Sequence, residues 1–322
     1  MQIATWNINS VKAHLDVALA WLKEEKPDIV CLQEIKCETE AFPKAPFEEL
    51  GYNAAVFGQK TYNGVAILSR APASDVRRGL PGDDGDTQAR YIEAVVPWHQ
   101  GVVRVASIYL PNGNPTGSEK FAYKLAWMDR LAAHAAELLL LEEPVVLCGD
   151  FNVIPMPVDA RHPEAWKGDA LFQPESRAKL RALVNLGFTD AVRLLAGEAP
   201  GLYTFWDYQA GAWQRNNGIR IDHALLSPQA ADLLAGSRDS ILSEFYERAF
   251  GDQPAAVRAF LEDELLTDSG YRESVAEERV RKGFAEAGAH AVGNTPQDMA
   301  AWMKEDAERW AQVIKAAQIK VD

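Results

Sequence analysis

In this sequence, acidic and amide side chains stand where apolar runs stop, and that placement suggests chemistry. In PVVLCGDFNV, Asp150 and Asn152 are two residues apart, so in a continuing strand they project from one face. A carboxylate beside a carboxamide can position and deprotonate a water, although an Asp-x-Asn can also simply close a strand as an Asx turn. In DIVCLQEIK, Glu34 follows a run that would bury it, and a buried carboxylate is costly unless a cation or hydrogen bonds compensate. A metal is a natural partner; a surface glutamate just past the strand is the plain alternative. Asn7 and Asn9 alternate in TWNINS, and Tyr109 and Asn112 end RVASIYLPNG. Phenol and amide can donate to phosphate oxygens, or they can serve only as a strand aromatic and a turn residue. Asp222 lies within the otherwise apolar GIRIDHALLS, where an unpaired charge is least expected.

Taken together, these donors are all oxygen, with few carboxylates among them. Such a set suits a hard cation, Mg²⁺ or Mn²⁺, which keeps several waters and completes its shell with substrate phosphate. Phosphodiester hydrolysis follows as the matching reaction, with the cation neutralising phosphate and leaving oxygen while a positioned water attacks in line.

Short β-rich runs must carry these residues: IATWNI, DIVCLQ, GVAILS, RVASIYL, PVVLCGDFNV and GIRIDHALLS recur up to about residue 228. Helical spacing of apolar residues separates them around 11–26 and 118–141. Strands this apolar are buried on both faces or packed sheet to sheet, with helices outside, which predicts an α/β sandwich. Beyond about Gly236 the sequence turns charge-rich and helix-forming. Thr295-Pro296-Gln297-Asp298 reads as a helix start, followed by an apolar face of Met299, Met303, Trp310, Ile314 and Ala317. The spacing therefore predicts one domain over 1–236 and a mainly helical C-terminal extension over 237–322.

At 322 residues and 48% hydrophobic content, the chain is long enough for a large globular domain plus an extension. MQIATWNINSVKAHL has no leader pattern, and no apolar stretch is long enough to cross a bilayer. Three cysteines, with Cys31 and Cys148 inside apolar runs, fit small core residues in a reducing compartment. A cytoplasmic protein away from membranes is expected. The net charge of −13 is unhelpful for contacting phosphates, unless Lys60, Arg77, Arg78, Arg90, Lys120 and Lys124 form a local basic rim.

TWNIN, LQEIK, FGQKTYNGVAILS, RRGLPGDD, IYLPNG, GDFNV, YTFWDY and GIRIDH occur in this order. The series resembles the exonuclease III family of the endonuclease/exonuclease/phosphatase superfamily over about residues 1–236. That resemblance implies a four-layer α/β sandwich, two packed β-sheets flanked by helices, with the site at the strand ends. It implies a divalent-metal DNA-repair phosphodiesterase with 3′–5′ exonuclease, 3′-phosphatase and abasic-site endonuclease activities. Its substrate would be double-stranded DNA carrying abasic sites or 3′ ends, and the enzyme would act as a monomer. On matching positions, Glu34 would bind the metal with Asn7 beside it, and Tyr109 would contact the phosphate. Asp150 would activate the attacking water, Asn152 would orient it, and Asp222 would be the acid of the RID strand. Asn112 would touch substrate, and Phe205 and Trp206 would line a pocket for a base-less sugar.

The family pattern closes on Ser-Asp-His-x-Pro, whose histidine contacts the scissile phosphate. Here Asp-His occurs only at Asp222-His223, and His290 stands in an unrelated Ala-Gly-Ala-His-Ala-Val. A catalytically inactive DNA-binding module and another phosphodiesterase of the superfamily are therefore the competing expectations. Residues 271–322 separately resemble the C-terminal end of solute-binding receptors of the tripartite tricarboxylate transporter family.

Overall fold

Period-two alternation explains the first sheet. It comprises β1 (Ile3–Asn7), β2 (Ile29–Gln33), β3 (Asn53–Phe57) and β4 (Val65–Ser69), in the order β1-β2-β4-β3. Ile29, Cys31, Val65 and Ile67 face the second sheet. The intervening Val30, Leu32, Ala66 and Leu68 meet Ala18 and Leu22 of α1 (Leu15–Glu25) and Phe47 of α2 (Lys44–Glu49). Every residue of β2 and β4 is therefore buried, as uninterrupted apolar runs require.

The computed structural model describes residues 1–99, 101–207 and 211–234. The chain divides into two units, Met1–Ser237 and Arg238–Asp322. The helical reading of 237–322, the helix start at Thr295 and the receptor-like stretch 271–322 lie outside the described residues.

The second sheet uses β5 (Ser74–Arg78), β6 (Tyr91–Trp98), β7 (Gly101–Tyr109), β8 (Val145–Asp150), β9 (Thr189–Asp190) and, after a small β10 (Phe205–Trp206) and β11 (Gly218–Ile219) ribbon, β12 (Asp222–Leu226). Its order is β5-β6-β7-β8-β12-β9. Ile92, Val105, Val146 and Cys148 face the first sheet. Ala106, Ile108, Val145 and Leu147 face α3 (Glu119–Leu139) and α4 (Pro174–Val184) through Trp127, Leu131, Leu138, Leu180 and Leu183. The expected four-layer α/β sandwich results. Among the described residues, no helix is long and apolar enough to cross a membrane.

Both sheets contain a parallel pair, β1–β2 and β7–β8, bridged by the crossover helices α1 and α3. Parallel pairing puts the ends of both strands at one pole, and this delivers the side chains of interest there. Buried Gln33 at the end of β2 joins the sheets: its Nε2 donates to Thr5 Oγ1 at 3.1 Å and to Ser107 Oγ of β7 at 3.0 Å.

Two strands differ from the sequence reading. PVVLCGDFNV does not continue as a strand past Asp150. Gly149 adopts φ +146°, where an added Cβ would meet Ile108 O at 2.0 Å, and Asn152 is left-handed at φ +48°. Asp150 and Asn152 therefore do not project from one face of one strand. GIRIDHALLS divides into β11 and β12, because Arg220 turns into a buried ion-pair cluster and the Ile221 and Asp222 amides donate to Thr204 Oγ1 instead of a neighbouring strand. Asp222 accordingly starts a strand rather than interrupting one. The first helix begins at Leu15, later than the apolar spacing suggests.

Candidate active site

Glu34 leaves β2 in a left-handed conformation, φ +49°, which turns its carboxylate across the strand ends. Its Oε1 accepts from Asn7 Nδ2 at 2.9 Å, its Oε2 pairs with Lys36 Nζ at 2.9 Å, and the Tyr109 hydroxyl also donates to it. Burial raises its pKa, but the donors Asn7, Lys36 and Tyr109 together hold the carboxyl below its usual range.

Asn7 is the hinge between sheets. The same Nδ2 that reaches Glu34 also donates to Asp150 Oδ2 at 3.0 Å, while its Oδ1 accepts from Asn9 N at 3.2 Å. Asp150 ends β8 beside Tyr109, its register partner on β7. Asp150 Oδ1 accepts from the Asn152 backbone amide at 2.9 Å. Asp-x-Asn thus closes the strand as an Asx turn. Burial pushes the Asp150 carboxyl up to about 6, against the pull of the Asn7 and Asn152 hydrogen bonds, with Glu34 adding to the rise. Asp222 faces Asp150 across the β8–β12 pair, and burial, then the Asp150 charge, raises it well above the carboxylate range.

Burial and the charges of Glu34 and Asp150 raise the Tyr109 phenol as well, so it remains a hydrogen-bond donor. The Arg90 guanidinium covers its ring at 4.8 Å. Exposed Asn112 donates from Nδ2 to Asn152 Oδ1 at 3.1 Å, and buried Asn152 donates from Nδ2 to Leu110 O at 2.9 Å. Asn7, Glu34, Tyr109, Asp150, Asn152, Asn112 and Asp222 are therefore linked at one pole.

Phe205 and Trp206 sit apart on the β10–β11 ribbon. Phe205 packs against a cluster containing Ile154, Leu171 and Ile219. Trp206 meets Trp213 edge-on at 4.6 Å and donates from Nε1 to Asn216 Oδ1 at 3.1 Å. His223 points into the core, with Nε2 at 2.9 Å from Val153 O and Nδ1 at 3.1 Å from Arg220 Nη1. Burial, then the Arg220 charge, lowers it to about 4, so neutral imidazole donates to Val153 and accepts from Arg220.

The basic rim is smaller than the sequence suggests. Arg77 pairs with buried Glu93, Arg78 donates to Val56 O, and Lys124 is buried. Lys124 donates from Nζ to the carbonyls of Asn152 at 2.6 Å and Asn112 at 3.1 Å, and burial lowers its pKa to about 7 against the charges of Asp150 and Asp169. Its signal was present in the sequence: Lys124 falls in register with the α3 core residues Trp127, Met128 and Leu131, where a cation needs a partner.

The donor chemistry fits a divalent cation. Asn7, Glu34 and Asp150 offer only hard oxygen ligands, and the carboxylates of Glu34 and Asp150 flank the Asn7 amide. Among the described residues, no three acidic, histidine or cysteine side chains converge as a cage. An Mg²⁺-type ion needs only one or two carboxylates, its shell being completed by water and phosphate.

The model of the Endonuclease/Exonuclease/phosphatase family matches residues 4–243. Exodeoxyribonuclease III of Haemophilus influenzae is 33% identical over 239 residues, covering 72% of this chain and 90% of that protein. A solved AP endonuclease from Archaeoglobus fulgidus superposes with TM-score 0.68 at 37% identity, covering 72% of this chain and 88% of that one. A 3′ phosphatase from Neisseria bound to a product DNA hairpin gives TM-score 0.69 at 38% identity, with coverage of 72% and 88%. The fold and these likenesses agree: the chain belongs to the endonuclease/exonuclease/phosphatase family, in its exonuclease III group.

Proposed function

We propose that this chain is a DNA-repair phosphodiesterase with 3′–5′ exonuclease, 3′-phosphatase and abasic-site endonuclease activities. The observation that carries the reading is the junction of Asn7 with both Glu34 and Asp150, which sets a metal-type carboxylate beside a carboxylate with raised proton affinity. Nucleases of this family depend on a divalent metal; Mg²⁺ or Mn²⁺ is the cation proposed here, held by Glu34 with Asn7 beside it. When bound, that cation neutralises charge on the phosphate and leaving oxygen.

The residues divide the remaining work. Asp150, in its ionised form, takes a proton from the attacking water, and its turn with Asn152 fixes its direction. Asn152 and Asn112 offer amides to the phosphate, Tyr109 stays protonated as a donor, and Arg90 anchors its ring. Burial, with the Glu34 charge adding to it, raises the base's affinity for that proton, and Asp222 stands opposite it across the β8–β12 pair. Phe205 and Trp206, on the ribbon apart from these residues, would line the pocket for a base-less sugar. The substrate is double-stranded DNA with abasic sites or 3′ ends, cut by a monomer. Three free, buried cysteines support a reducing, cytoplasmic setting.

Cleavage of an abasic-site duplex with Mg²⁺, repeated with EDTA, tests this. Metal-dependent incision supports the reading. Binding without incision selects the inactive DNA-binding module, which the missing Ser-Asp-His-x-Pro motif favours.

A further inference from the structure

Lys124 occupies a position on α3 that the packing assigns to an apolar side chain. It is fully buried at 0% exposure, one turn from Trp127 and Met128 of the core. Burying an ammonium there costs stability that a methionine would not. Its Nζ reaches two carbonyls on different loops, Asn152 O after β8 at 2.6 Å and Asn112 O after β7 at 3.1 Å. The stem is seated in the second loop as well, since a Cβ on Gly113 would meet Lys124 Cδ at 2.6 Å.

Above that tether, the side chains of the same two residues join, Asn112 Nδ2 donating to Asn152 Oδ1 at 3.1 Å. Asn152 is also fixed from below by the Leu110 carbonyl at 2.9 Å. Lys124 thus closes a ring in which backbone carbonyls are clamped underneath and amide side chains are clamped on top.

We propose that Lys124 is a positioning residue for phosphodiester hydrolysis, tying the loops after β7 and β8 through the Asn112 and Asn152 carbonyls and so aiming both amides at the phosphate. The inference rests on the phosphodiesterase reading above. Without the ammonium each carbonyl loses a donor and the loops move independently. A misplacement of about 1 Å near reacting groups costs on the order of 10²-fold in rate. Glu34 and Asn7 belong to the other sheet, so metal affinity is spared, and substrate binding depends on a wider surface.

The test is kinetics of the full chain on an abasic-site duplex with Mg²⁺. Lys124→Met is expected to lower kcat about 10²-fold while leaving KM, the midpoint of the Mg²⁺ titration and Tm nearly unchanged. Lys124→Gln keeps an N–H donor on a side chain one bond shorter and should recover only part of that loss. Combining Lys124→Met with Asn112→Ala should cost little more than the larger single change, because both act on one unit. If Lys124→Met does not fold, Lys124→Gln and its cycle with Asn112→Ala carry the same test. A wild-type kcat in Lys124→Met, a loss confined to Tm or KM, or additive losses in the cycle would overturn the proposal. Wild-type enzyme without Mg²⁺-dependent cleavage would instead overturn the phosphodiesterase reading.

Discussion

Asp150 and Asp222 stand directly opposite each other across the β8–β12 pair, two carboxylates at one strand end. Burial acts first on each; the Glu34 charge adds to the rise at Asp150 and the Asp150 charge to the rise at Asp222, so both hold protons more tightly than an ordinary carboxyl. The pair titrates as a unit, and its charge connects chemistry to stability.

Asp150→Asn should abolish metal-dependent cleavage while the fold stays intact, since shape is kept and the proton acceptor is lost. Removing one general base costs roughly 10²–10⁴ in rate. Turnover equal to wild type would take Asp150 out of the mechanism.

The same substitution should stabilise the metal-free protein. Asp150 rises to about 6 on folding from an unfolded value of about 4, so the native state binds more protons between those limits. Stability therefore falls as pH rises through that window and stays lower above it. In EDTA, Asp150→Asn should be more stable than wild type at pH 7 by at most about 3 kcal/mol, with the difference vanishing near pH 4. Urea unfolding at the two pH values measures this, and an equal gap at both would contradict the charge argument.

Glu34→Gln should shift the Mg²⁺ requirement upward, because a neutral amide is a poorer ligand for a hard cation. The activity of both proteins against Mg²⁺ concentration decides it. Superimposable curves would remove Glu34 from the metal site.

Arg220 lies between Asp159 at 2.7 Å and Asp190 at 2.8 Å and is almost wholly buried. Arg220→Met leaves the buried Asp159 and the half-buried Asp190 short of a cation, and breaking such a cluster costs about 3–5 kcal/mol. Equilibrium unfolding should show that loss at neutral pH. A change under about 1 kcal/mol would mean that Arg193, which also pairs with Asp159, suffices.

The missing Ser-Asp-His-x-Pro segment predicts a weak nuclease. Losing one donor to the scissile phosphate costs roughly 10²–10³ in rate. Replacing residues 238–322 by a short segment ending in that motif should raise abasic-site cleavage by a similar factor at equal folded concentration. Equal rates would mean that the histidine matters less than the family resemblance implies.

The layers were legible because uniformly apolar runs such as IVCLQ and VAILS are buried on both faces. Strand β6 was not, because Glu93 and Pro97 interrupt its pattern; Glu93 is buried beside its neighbour Tyr91 and against Arg104 and His134, two partners that the sequence does not bring near it. The junction of Asn7 with Glu34 and Asp150 spans 27 and 143 residues of chain. Residue types suggested its members, while their arrangement came from parallel pairing. The burial of Lys124 was legible in its register with the α3 core, but its two acceptors were not, because backbone carbonyls have no sequence signature.

The link between sheets through Gln33 and Ser107 has a consequence for how this protein would fail. Glu34 and Asn7 belong to one sheet, and Tyr109, Asp150 and Asp222 to the other. An expanded state that kept all its strands and helices but loosened the inter-sheet core would separate the two halves of the site by sliding alone. Far-ultraviolet circular dichroism would then still report a folded chain when incision had already stopped, so catalysis is the more sensitive gauge of whether the sandwich is closed.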